Sequence, residues 1–202
     1  MVRFMTLASR ILAAALACGA AGAVTARDAH ASVSIAVTFD ALVHDSTAAA
    51  IVTPVEQRSV WEGGRIYTYT RVHVDQGVAG SLATGGDAWV VSLGGIVGDV
   101  GQVVEGEARL HVGYPTFVFL RPDSQLAGTH VVTARAQGQF QIRVDPVTKS
   151  RRFIKNHGLG TLLPPRVAGG AAPVLAADVV QDRLVDDVVR DVTAAWTKQH
   201  AR

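Results

Sequence analysis

The clearest pattern in the chain is a run of strict alternation. From Arg65 to Gln76, Ile66, Thr68, Thr70, Val72 and Val74 fall on one side, and Tyr67, Tyr69, Arg71, His73 and Asp75 on the other. A period of two places successive side chains on opposite faces of a strand, so this segment predicts a long strand with one apolar and one polar-aromatic face. Ala48 to Val55 predicts a strand before it, and Trp61-Glu62-Gly63-Gly64 the turn that leads in. Gly77 to Gly86 reads as a link, and Ala88 to Leu93 as a further strand. Thr116 to Leu120 is apolar on both faces and bracketed by Pro115 and Pro122, which marks a central strand. Thr129 to Ala136 and Gly138 to Val144 continue the series. Asp145-Pro146-Val147-Thr148-Lys149 forms a turn, and Ser150 to Ile154 returns as a hairpin partner. Six to eight short strands separated by turn signals predict a β-barrel or a β-sandwich.

Two segments carry the helical period instead. Thr38 stands as an N-cap before Phe39, Leu42 and Val43, which predicts a short N-terminal helix. Leu175 to Lys198 places Val180, Leu184, Val185, Val188, Val189, Val192 and Trp196 on one stripe, with Asp182, Arg183, Asp186, Asp187, Arg190 and Asp191 opposite. This predicts a C-terminal amphipathic helix that must bury its stripe on the β domain or on a partner. Between them Asn156 to Val174 is rich in Gly, Pro and Ala and reads as a linker. The expected organisation is therefore a leader over 1–31, a β domain over 32–155, a linker over 156–174 and a helix within 175–202.

Composition sharpens the two ends of this picture. Arg3 and Arg10 flank the start of an apolar stretch, Ile11 to Val24, and Ala29-His30-Ala31 supplies a small-x-small site, the arrangement of a secretory signal peptide. Cleavage after Ala31 leaves Ser32 as the new N-terminus; cleavage after Ala26 is the second choice. The stretch is too short for a membrane span, and no later segment approaches one. The single cysteine, Cys18, lies inside the leader, where a lipid anchor is the lesser alternative to ordinary secretion. With ordinary cleavage the mature chain has no thiol, which excludes disulfides, thiolate metal sites and cysteine nucleophiles together. Periplasm or cell exterior is the expected address.

Charge then loses its first appearance. The 202 residues carry 19 Lys and Arg against 17 Asp and Glu. The leader removes Arg3, Arg10, Arg27 and Asp28, leaving 16 of each sign. A balanced chain lacks the surplus of positive charge that nucleic-acid or anionic-membrane binding needs.

The helix T-F-D-A-L-V, the turn and strand W-E-G-G-R-I-Y-T-Y-T, the loop L-G-G-I-V-G, the segment Y-P-T-F-V-F-L and the strand A-Q-G-Q-F-Q-I-R-V occur in this order between Thr38 and Val144. This order resembles a group of secreted bacterial proteins with OB-like barrels of the netrin and tissue-inhibitor-of-metalloproteinase type. The resemblance implies an OB-like barrel and a role in protein binding. Metalloproteinase inhibitors of that type engage zinc through an N-terminal cysteine, for which Ser32 offers no counterpart.

No catalytic signature accompanies these elements. Gly94 to Gly101 follows a strand, but its spacing is G-G-x-x-G-x-x-G and no amphipathic helix follows, so it reads as a bulge or tight loop and not as a phosphate cradle. His44, His73, His111, His130, His157 and His200 include no pair with the i, i+4 spacing of a helical zinc motif. A site assembled from separate strands, such as His73 with His130, stays open. Ser92 lacks the G-x-S-x-G context, and Glu56, Glu62, Glu105 and Glu107 all fall in predicted turns or links. No catalytic, cofactor-binding or metal-binding residue is assigned and no cofactor is expected.

The candidate binding surface is the outward row Tyr67, Tyr69, Arg71 and His73, with Trp61 at the adjacent turn. Aromatic and Arg side chains supply large, rigid contact area and are enriched where proteins meet. A second, basic cluster is Arg143, Lys149, Arg151, Arg152 and Lys155 on the hairpin, which reads as a charged strand edge. The reading leans away from an enzyme. A secreted, non-enzymatic module that binds another envelope or extracellular protein is expected; its sharpest form, regulation of a secreted protease, is what the barrel resemblance implies. An envelope-polymer hydrolase and a structural envelope protein are the alternatives.

Overall fold

The computed structural model describes residues 33–154, 156, 158–165 and 172–201. The expected leader, Cys18, Lys155 and His157 lie outside the described residues. The described chain is mainly β, built on one mixed sheet of seven strands.

Strand β1 (Val33–Ile35) is followed by helix α1 (Phe39–His44), whose N-cap Thr38 accepts a hydrogen bond from the backbone N–H of Ala41 at 3.1 Å. Strands β2 (Ala48–Glu62) and β3 (Arg65–Gly80) then form one long antiparallel ribbon. Both outrun the lengths read from the pattern. Pro54 did not end β2, because it sits where the register shifts, between Pro54 and Glu56, at a bulge that needs no donor. Strand β4 (Asp87–Leu93) pairs antiparallel with β3. The glycine loop folds as a small hairpin of β5 (Gly95–Val97) and β6 (Val100–Gln102), which the sequence pattern did not reveal. Strands β7 (Thr116–Pro122) and β8 (Thr129–Val132) follow, then a 3-10 turn over Arg135–Gly138 and the hairpin of β9 (Gln139–Val144) and β10 (Arg151–Ile154). The strand expected to run on to Ala136 stops at Val132, because Ala134 and Arg135 both take positive φ near 55° and turn the chain.

The pairings form a closed circuit. β7 pairs with β2, β2 with β3, β3 with β4, β4 in parallel with β8, and β8 antiparallel with β7. Inside the circuit lie Ala48, Ala50, Val52, Val72, Val74, Val90, Val118, Leu120 and Val132. Apart from Leu120 these are Ala and Val, which fits a narrow interior. On the opposite faces of the same strands, Ala49, Ile51, Phe117 and Phe119 meet Phe140 and Phe153 and a helical layer. β2 and β7 are thus buried on both sides, which explains why Thr116 to Leu120 shows no polar alternation.

The helical layer comes from the C-terminus. Strand β11 (Thr161–Leu163), within the segment read as a linker, pairs in parallel with β1. The single helix expected from Leu175 onward is two: α2 (Ala176–Val180) and α3 (Val185–His200). The break has a purpose in the packing. Asp182 adopts φ 58°, and the segment bonds to the outer edge of β10: Phe153 N–H donates to Arg183 O at 3.0 Å, and Asp182 N–H donates to Phe153 O at 2.9 Å. The edge strand is thereby covered. Val180, Val185, Val188 and Val192 complete the core under Phe117, Phe119 and Phe153. Arg151 pairs with Asp186 at 3.2 Å, so the basic hairpin and the acidic helix face meet. No helix among the described residues is long and apolar enough to cross a membrane.

Candidate functional site

Strand register decides which of the singled-out residues share a surface. Directly opposite residues of an antiparallel pair lie on one face. Tyr67 therefore stands in a row with Val60 and Leu93, Tyr69 with Arg58 and Val91, Arg71 with Glu56 and Trp89, and His73 with Thr53 and Asp87. Tyr67, Tyr69, Arg71 and His73 do form one face of β3. Trp61 does not join them: its partner is the buried Ile66, so by register it belongs to the other face of the ribbon, although it is 54% exposed. Trp89, on β4 beside Arg71, is the tryptophan that shares this face.

Tyr69, Arg71 and His73 are each fixed by a carboxylate. The Arg71 Nε donates to Glu56 Oε2 at 3.0 Å and its Nη1 to Asp87 Oδ2 at 2.8 Å. His73 Nδ1 lies 3.0 Å from Asp87 Oδ1. These bonds, to His73 first and Arg71 next, hold the Asp87 carboxyl below its ordinary range. The same two carboxylates hold the Arg71 guanidinium further in its charged form. The Tyr69 hydroxyl donates to Glu62 Oε2 at 3.1 Å. Burial, then this bond and the charges of Glu62 and Asp123, push the Tyr69 phenol up from its ordinary value. The half-buried Tyr69, Arg71 and His73 side chains are thus held in one geometry before any partner arrives, which lowers the ordering cost of binding.

Toward the hairpin turn this face opens into a groove of about 730 Å³, lined by Tyr67, Tyr69, Val91, Glu62, Arg65, Asp123 and Leu126 among others. The pattern gave no sign of Asp123 or Leu126, which reach the groove from the loop between β7 and β8. Trp89 and Asp87 were legible in principle, since both alternate within the Asp87 to Leu93 run.

The opposite face of the ribbon is different in kind. Ser59, Thr68 and Gln57 point toward the β5–β6 hairpin and the segment from Val103 to His111, around a groove of about 510 Å³. Ser59 and Thr68 hydroxyls lie 2.9 Å apart, and Thr68 donates to Gly94 O at 2.6 Å. Glu107, at its rim, is raised from the ordinary glutamate value by burial, a change that Arg135 at 3.9 Å partly opposes.

His130 sits on β8 opposite Val90, and its Nδ1 is enclosed without a hydrogen-bond partner among the described residues. Among those residues no three of His, Cys, Asp and Glu come together as a metal would require. No hydroxyl among them hydrogen-bonds to His73, whose ring contact is Asp87.

No protein-family model, curated protein or solved structure matches this chain.

Proposed function

We propose that this chain is a secreted, non-enzymatic binding module that works in the periplasm or outside the cell by holding another protein, in the sharpest case a secreted protease that it regulates. The observation that carries this reading is the β3 face: Tyr67, Tyr69, Arg71, His73 and Trp89 share one half-buried to exposed surface, on which Tyr69, Arg71 and His73 are already fixed by Glu62, Glu56 and Asp87. The closed circuit of five strands with its one parallel closure, β4 to β8, supports the finer description of an OB-like barrel. Barrels of that kind use a strand face and its flanking loops for recognition, and here the richest face is β3 with β4.

The test is site-specific photocrosslinking in the producing cell, with Tyr67 replaced by a photoreactive phenylalanine analogue. One or a few discrete protein adducts are expected, together with their loss on Arg71→Ala. A parallel assay of co-secreted proteases with and without the purified protein addresses the regulatory form. Absence of adducts from Tyr67, with adducts arising instead from a position on α3, would move the binding surface elsewhere.

A further inference from the structure

The groove at the turn end of the β3 face has a chemistry of its own. Tyr67 and Tyr69 line it from β3, and Asp123, Gln125 and Leu126 from the loop after β7. Glu62 keeps Oε1 free of protein partners among the described residues, since the bond from the Tyr69 hydroxyl uses Oε2. Asp123 is held in place by its own turn: its Oδ1 accepts from Gln125 N–H at 2.9 Å, and its backbone N–H donates to Thr129 O. Oδ2 of Asp123 has no protein partner among the described residues. Both carboxylates line the groove together with Tyr69. Arg65 is the one cationic side chain of the lining, so two negative charges face one positive charge.

Aromatic faces with fixed, acceptor-only oxygens recognise a cation that carries N–H donors. We infer that this groove receives an arginine or lysine side chain from an extended segment of the protein partner. The inference rests on the reading of the β3 face as a protein-binding surface and supplies its chemistry. A neutral sugar could stack on the two tyrosines, but it would bury two carboxylates with only Arg65 to compensate them, which is costly. An acidic segment or a nucleic acid would meet like charge.

The experiment uses the purified protein and fluorescein-labelled nonapeptides in which Thr alternates with Arg, or with Glu in the control, read by fluorescence anisotropy at low and at moderate salt. Binding of the Arg peptide alone is expected, with at least a tenfold loss in the Glu62→Gln, Asp123→Asn double variant. Asp186→Asn with Asp187→Asn, on the acidic face of α3, should leave binding unchanged, which separates the groove from general attraction to negative charge. Equal binding by the two double variants overturns the inference, as does binding of chitotetraose that depends on Tyr67 and Tyr69 in place of the peptide. Crosslinked adducts from Tyr67 that persist in the Glu62→Gln, Asp123→Asn variant would remove the inference and leave the binding reading standing. Loss of both adducts and peptide binding from the unmodified chain would remove both.

Discussion

The side chain of Gln139 holds the peptide group of Arg109 at both ends. Its Oε1 accepts from Arg109 N–H at 2.9 Å and its Nε2 donates to Arg109 O at 2.7 Å, as a neighbouring strand would. Gln57 adds a bond from its Nε2 to Leu110 O. The residues from Val103 to Pro115 belong to no helix or strand, yet Ala108 and Leu110 join the interior of the strand circuit. Glutamine amides substitute for the missing ladder and keep this segment across the end of the circuit.

Gln139→Ala removes both bonds at a buried position and leaves two backbone groups to find water. A loss of about 1–3 kcal/mol is expected, seen as a lower urea midpoint with an unchanged slope. A midpoint that does not move would mean that Leu110 alone anchors the segment.

The glycine loop has a steric role. Gly95 takes φ 139°, and a Cβ built there would overlap the hydroxyls of Thr68 and Ser59; Thr68 fastens the β5–β6 hairpin to the ribbon by donating to Gly94 O. Gly98 also has positive φ, at 58°, but open space around it. Gly95→Ala should therefore cost about 2–3 kcal/mol and Gly98→Ala about 1 kcal/mol in thermal or urea unfolding. Equal costs would show that backbone conformation alone decides both positions.

Much of this arrangement was legible from period alone. The alternation from Ile66 to Asp75 gave the β3 face, and the two-sided apolarity of Thr116 to Leu120 gave the strand buried between two cores. What period cannot give is register and long-range contact. Trp61 was placed with Tyr67 because it is near in sequence, and pairing with Ile66 puts it on the other face. The helix break at Asp182 is equally invisible locally, because the valine stripe keeps its phase and the cause is the open edge of β10. Asp123 enters the groove across a loop, with no local pattern to announce it.

Phe153 links that edge to the core. It is fully buried, its ring lies 5.4 Å from Phe117 and 6.4 Å from Phe140, and its backbone bonds to both Asp182 and Arg183. Phe153→Ala should destabilise the protein by about 3–5 kcal/mol and expose the helical layer to limited proteolysis before the strands. Cleavage that begins in the strands would contradict this order.

Arg71 separates recognition from stability. Its two ion pairs are largely exposed, so Arg71→Ala should leave the urea unfolding midpoint nearly unchanged. The same change should abolish the crosslinked adducts from Tyr67, because Arg71 occupies the centre of the row. A large loss of stability instead would assign Arg71 a structural role.

Two carboxylates give opposite responses to pH. Asp87 is held low by His73 and Arg71, so its contribution is present above the ordinary aspartate value of 3.8 and is lost as pH falls through its lower folded value. Glu107 is held high by burial, so the folded state binds its proton more tightly than the unfolded chain does. Its contribution is full below 4.5 and is lost as pH rises through its raised folded value. Glu107→Gln removes this second dependence: in urea unfolding between pH 3 and pH 8, the variant should match the parent near pH 3 and become the more stable of the two as pH rises. Asp87→Asn should match the parent at low pH and fall behind it above 3.8. The Arg135 guanidinium at 3.9 Å already offsets part of the Glu107 burial, so Arg135→Ala should steepen the fall of stability with rising pH in the parent and have no such effect once Glu107 is Gln. If Arg135→Ala acts equally in both backgrounds, Arg135 does not offset the burial of Glu107.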